Sequence, residues 1–220
     1  MENVNDKTFY SKVYLPLFII IDASKKTNKD KMLIEINKLF SKTKKTTLMD
    51  HPLKIYFYSF NEDIGLLKES EYLDCINGLI YNSNGNCNLA KSFNKLLDEI
   101  DRIKQCYKKN EIEYFRPNIW AFLDSEINDL DSDDYRTLKE RAIDLKQNKK
   151  MPVSIIYLLN NDKIVCDKAE KFSKDISYLI PNGDFDLAMD YLYARELPQS
   201  NDGDCVKIDL SDKDWLDFDI

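Results

Sequence analysis

Leu15-Pro16-Leu17-Phe18-Ile19-Ile20-Ile21-Asp22-Ala23-Ser24 decides the fold, because an apolar run stops at a carboxylate and a hydroxyl. Apolar side chains at successive positions, rather than at alternate ones, mark a strand buried on both faces, as in a parallel sheet covered by helices. Three further runs have this character: Ile55 to Phe60, Ile119 to Leu123 and Val153 to Leu159. Between them the period changes from strand to helix. Leu89, Phe93, Leu96, Leu97, Ile100, Ile103 and Tyr107 recur in steps that place them on one helical face. A second helix starts near Ser132 as N-cap, with Asp133 and Asp134 in its first turn, and runs through Leu138, Ile143 and Leu145 until Pro152 prevents its continuation.

A third helical segment carries Ala169, Phe172, Ile176 and Leu179 and stops before Pro181 and Gly183; Asp30 to Phe40 and Phe185 to Leu197 carry further helix signals. Lys42 to Thr47 reads as a solvated turn. Strand and helix alternate throughout, which predicts an α/β fold of Rossmann-like type, a central mostly parallel sheet flanked by helices on both faces.

Length and composition agree with one such domain. The 220 residues are 43% hydrophobic, 12% aromatic and 32% charged, enough for a real core. Residues 1–198 are expected to form the domain, and 199–220 an acidic, partly apolar tail. No apolar run approaches the roughly 20 residues of a membrane span. The N-terminus, with Glu2 and Asp6, lacks the features of a secretory signal, so a cytoplasmic location is expected. The net charge of −7 has the wrong sign for gripping phosphates, which argues against nucleic acid as partner. Five cysteines (Cys75, Cys87, Cys106, Cys166, Cys205), none in a paired motif, and a single histidine, His51, support neither a zinc site nor a disulfide scaffold.

In a parallel sheet, ligands bind beyond the carboxyl ends of the strands. There the sequence places Asp22-Ala23-Ser24-Lys25-Lys26-Thr27, Asp124-Ser125-Glu126 and, just before the best helix, Asn84-Gly85-Asn86-Cys87-Asn88. Taken with Tyr114-Phe115-Arg116-Pro117 before the strand that ends at Asp124, these stretches resemble the von Willebrand factor A (vWA) domain, and within it the bacterial tellurium-resistance, TerY-like branch. Asp22-Ala23-Ser24 matches the first part of that family's Asp-x-Ser-x-Ser motif. Gly85-Asn86-Cys87 aligns with its Gly-Gly-Thr-like turn and Leu123-Asp124-Ser125 with its Thr-Asp-Gly. The resemblance covers about residues 13–195.

It implies a metal-ion-dependent adhesion site, in which two carboxylates and three hydroxyls hold Mg²⁺ or Mn²⁺ and a partner's carboxylate often completes the shell. Asp22, Ser24 and Asp124 are kept. Lys26 stands where the last Ser would be and Cys87 where the Thr would be, so a degenerate site is expected. A thiol suits a hard cation poorly, and Lys26 either acts as an internal counterion or points to solvent. The alternative is a working site that recruits Thr27, Asn86, Asn88, Ser125 or waters. The resemblance further implies a protein partner, a kinase or PP2C-type phosphatase among them, in a stress-response or phage-defence setting.

Other readings of the same residues are blander. Cys87 reads as an inert small residue at a helix start, His51 as a loop residue, and Asn128 to Asp134 as a helix-capping loop without EF-hand spacing. A haloacid-dehalogenase-like phosphatase would need a second Asp at position 24, a receiver domain an acidic pair after its first strand, and a P-loop a motif this chain lacks. Non-enzymatic action is therefore expected. In the tail, Asp alternates with Val206, Ile208, Leu210, Trp215, Leu216, Phe218 and Ile220. It reads either as a strap on its own domain or as a motif anchored in a partner by Trp215 and Phe218.

Overall fold

The opening apolar run becomes β1 (Leu15–Asp22), the third strand across a sheet of six in the computed structural model, which describes residues 13–43, 52–71 and 79–180. The chain continues through α1 (Lys29–Thr43), β2 (Leu53–Phe60), β3 (Ile64–Ser70), α2 (Leu89–Lys109) and β4 (Asn118–Leu123). It then forms α3 (Asp133–Gln147), β5 (Val153–Leu158), α4 (Lys163–Ile176) and β6 (Tyr178–Ile180). The strand order is β3-β2-β1-β4-β5-β6, with every neighbouring pair parallel except β2 and β3. Only Asn61, Glu62 and Asp63 link those two strands, too few for a parallel crossover, so a hairpin results.

Because side chains alternate across a strand, β1 feeds two separate cores. Phe18 and Ile20 face α2, α3 and α4, packing in one cluster with Phe93, Leu96, Leu138, Ala169 and Phe172. Leu17, Ile19 and Ile21 face the other way, in a cluster with Met32 and Ile36 of α1. Helices thus lie on both faces of the sheet, as expected.

Helix starts follow the sequence signals. Ser132 caps α3 by accepting from Tyr135 N at 3.2 Å, and Asp162 caps α4 by accepting from Ile164 N at 2.9 Å. α2 has no such bond from its own cap residue Asn88; Asp129 of the β4–α3 loop accepts from Lys91 N at 2.9 Å instead. The Asn128 to Asp134 stretch is therefore a capping loop for two helices.

Three expectations are corrected. Strand does not alternate strictly with helix, because β3 follows β2 directly. Leu179 lies in β6, since α4 ends at Ile176, and Lys42 and Thr43 belong to α1 rather than to a turn. The helix read at 185–197, the tail with Trp215 and Phe218, His51, Cys75 and Cys205 lie outside the described residues.

Candidate functional site

β1 leads on to β2 and β3 on one side, while β4, β5 and β6 lie on the other. The strand order therefore reverses between β1 and β4, and the crevice beyond their carboxyl ends is the natural ligand position in such a sheet. The register pairs Ile21 with Phe122, which brings Asp22 at the end of β1 beside the exit of β4 at Asp124.

Asp22 is fully buried and spends both carboxylate oxygens on main chain. Its Oδ1 accepts from Ser24 N at 2.9 Å and its Oδ2 from Asp124 N at 3.2 Å, so it ties the two strand ends together. The Asp124 Oδ2 accepts from Asn28 N at 3.0 Å, and the Asn160 side chain donates to Asp124 O at 2.7 Å. On the same strand ends lies a triangle of hydroxyls. Ser24 Oγ donates to Ser125 Oγ at 2.7 Å, Thr27 Oγ1 is 3.0 Å from Ser125 Oγ, and Ser24 Oγ is 3.3 Å from Thr27 Oγ1. The turn makes this arrangement: Thr27 N donates to Ser24 O at 3.1 Å, which exposes Lys25 and Lys26 and turns Thr27 inward.

Lys26 does not enter the cluster. Its side chain is 66% exposed and its Nζ lies 3.8 Å from Glu126 Oε2. Lys168 pairs with the same carboxylate at 2.7 Å and holds it below the usual carboxylate range, with Lys26 adding to the effect. The cation that does approach is Lys31, a residue the sequence did not single out: its Nζ is 3.8 Å from Asp124 Oδ1 and donates to Leu159 O. Tyr81 was also missed. Its hydroxyl is buried without a hydrogen-bond partner among the described residues, and burial, followed by Asp22, Asp30 and Asp124, pushes its pKa up. Lys29 donates to Tyr81 O at 3.0 Å and stands over its ring.

Cys87 is buried in a short bridge to Ile127, and its backbone exchanges hydrogen bonds with Asn128. Burial, reinforced by Asp22, Asp129 and Glu126, raises the thiol well above its ordinary pKa, which disfavours the thiolate. Asn86 is exposed, and its backbone N–H donates to Glu62 Oε1 at 3.3 Å; Asn88 N donates to Asn61 O. Of the auxiliary residues, the fold thus gathers Thr27 and Ser125 and leaves Asn86 and Asn88 apart.

Gly85 holds the neighbouring turn. Its φ of +65° lies in the left-handed region, its carbonyl accepts from Lys25 N at 3.2 Å, and an added Cβ would meet the Glu62 side chain at 3.0 Å. Gly85→Ala is expected to lower unfolding free energy by about 1–2 kcal/mol in urea denaturation. An unchanged midpoint would contradict that strain.

The donors suit one kind of cation. Among the described residues no three His, Cys, Asp or Glu side chains cluster as metal ligands, so an ion here would draw on the hydroxyls. Two carboxylates and three hydroxyls form an all-oxygen set, which fits Mg²⁺ or Mn²⁺ and not a thiolate-seeking metal. Asp22, Asp124, Ser24, Thr27 and Ser125 are the residues that would hold it.

Fold and site together define a doubly wound α/β domain with an oxygen-lined cluster at its switch point. Among solved structures, the chain is similar to VWA2, the ArnB paralog from Sulfolobus acidocaldarius. That match has 22% identity, covers 79% of this chain and 42% of that one, and has a TM-score of 0.43. It is also similar to proximal thread matrix protein 1 from the mussel byssus, with 12% identity, 84% and 45% coverage, and a TM-score of 0.45. This chain thus spans less than half the length of either. No family model matches the sequence, and no curated protein matches it.

Proposed function

We propose that this chain is a non-enzymatic protein-interaction module of vWA type, which captures a partner protein at the carboxyl edge around Asp22 and Asp124 and uses a Mg²⁺ or Mn²⁺ ion there. The observation that carries this reading is the set of three hydroxyls, no more than 3.3 Å apart, in the loops that follow two buried strand-end carboxylates. Thr27 and Ser125 replace the hydroxyls that Lys26 and Cys87 cannot supply, so a departure from the family motif need not abolish the site. A bound ion supplies a positive centre that a partner's carboxylate can complete. The partner class, a kinase or PP2C-type phosphatase in a cytoplasmic stress-response or phage-defence system of TerY-like type, rests on the sequence resemblance alone.

The test is a thermal melt with excess chelator and then with Mg²⁺ or Mn²⁺. An ion at a hundredfold its dissociation constant adds about 2.7 kcal/mol, a clear rise in melting temperature. A melt that ignores both ions counts against metal use. One observation favours a metal-independent version of the same module: Lys31 already brings a positive charge to Asp124. Partner capture that survives chelator selects that version. Phosphatase turnover lost in Asp22→Asn would replace both with a phosphoryl-handling enzyme.

A further inference from the structure

We infer that Lys31 is a resident cation of the oxygen cluster, the group a divalent ion has to displace, and therefore the residue that sets how tightly the site holds one. The inference rests on the hard-cation reading above and adds a competitor to it.

The four carboxylate oxygens are not equivalent. Both oxygens of Asp22 accept main-chain amides, from Ser24 and Asp124. Oδ2 of Asp124 accepts the amide of Asn28. Asp124 Oδ1 is thus the one of the four with no amide on it among the described contacts, and it is the oxygen that Lys31 Nζ faces at 3.8 Å. The same ammonium donates to Leu159 O just past the end of β5, so it reaches across the ends of two strands. The Lys31 side chain is 48% exposed while that of Asp124 is 8% exposed. The carboxylate is therefore fixed, whereas the half-exposed ammonium can swing into solvent at the cost of one long ion pair and its hydrogen bond to Leu159 O.

An ammonium and a divalent ion at one carboxylate oxygen repel each other, so occupancy by either excludes the other. Two of the neighbouring lysines are engaged elsewhere. Lys26 pairs with Glu126 and Lys29 with the carbonyl and ring of Tyr81. The position of Lys31 follows from α1, whose first turn starts directly after Asn28, the residue already bound to Asp124.

The experiment is a titration of the full chain with Mn²⁺ alone, followed by the signal of free Mn²⁺ in electron paramagnetic resonance. Lys31→Met, and Lys31→Gln as a second variant, are expected to tighten Mn²⁺ binding roughly three- to fivefold, the equivalent of an exposed ion pair removed. Lys31→Arg, which keeps the charge, is expected to gain nothing, and Lys26→Met is expected to change affinity less than about twofold, since Lys26 is not at the cluster. Mn²⁺ bound equally by wild type and both neutral variants overturns the role of Lys31 and leaves the hard-cation site standing. No binding by any of them at millimolar Mn²⁺ overturns both. Binding by the neutral variants alone supports the inference in its strongest form.

Discussion

Asp22→Ala is expected to lower the unfolding free energy by about 3 kcal/mol, because it strands two amides rather than one. The Ser24 and Asp124 N–H groups both end on this fully buried carboxylate. A buried donor left without an acceptor costs about 1–3 kcal/mol, and water entering the space left by the side chain recovers part of the loss. Asp22→Asn separates acceptor geometry from charge. Its amide keeps one acceptor oxygen and turns an NH₂ towards the other N–H, so about half of the loss should remain. Urea denaturation of the three proteins checks this. A fall below 1 kcal/mol for Asp22→Ala would mean that the strand ends are held by other contacts. Asp22 is then a tie between β1 and β4 before it is anything else, and binding assays on its variants need the stability measured alongside.

Much of this site could be read from the sequence, because the features that locate it are local. A run such as Phe18 to Ile21, apolar at every position, can only be a strand covered on both sides, and the residue after it must sit at a sheet edge. That reasoning found Asp22 and Asp124 without knowledge of the strand order, and the equally local N-cap signal found Ser132 as the cap of α3. What was not legible depends on how the chain turns after the strand. The Asp-x-Ser-x-Ser comparison drew attention to position 26, but the hydrogen bond from Thr27 N to Ser24 O turns position 27 inward instead. Lys31 gave no signal because its importance comes from the phase of α1 relative to β4 and β5. β3 escaped notice for a different reason: the exposed Gly65, Leu66, Lys68 and Glu69 of Ile64–Ser70 show no strict alternation, as befits an edge strand with a register shift against β2. Leu179 fitted the helical spacing of α4 and yet belongs to β6, because Ser177 is extended and ends the helix.

Phe172→Ala is expected to cost about 3–5 kcal/mol, the largest effect of any single change considered, and to spare the site. Phe172 of α4 is fully buried and meets an aromatic ring from each of the other two helices on its face. Its ring stands edge-on to Phe93 of α2 at 5.3 Å and stacks on Tyr135 of α3 at 5.9 Å. Truncation opens a cavity between three helices and removes both ring contacts, each worth about 0.5–1.5 kcal/mol beyond its buried area. Phe172→Leu refills most of the volume and should cost about 1.5 kcal/mol or less. The cluster of Asp22, Ser24, Thr27, Asp124 and Ser125 hangs from β1, β4 and the turn before α1, and among the described residues none of the hydrogen bonds of its side chains goes to α4. Mn²⁺ affinity of folded Phe172→Ala should therefore equal that of the wild type, while its denaturation midpoint falls sharply. If affinity falls with stability, the site is shaped by the helices on this face. If stability alone falls, the sheet by itself fixes the geometry at its carboxyl edge, which explains how Lys26 and Cys87 can stand apart from the cluster while five oxygen-bearing side chains gather at the ends of β1 and β4.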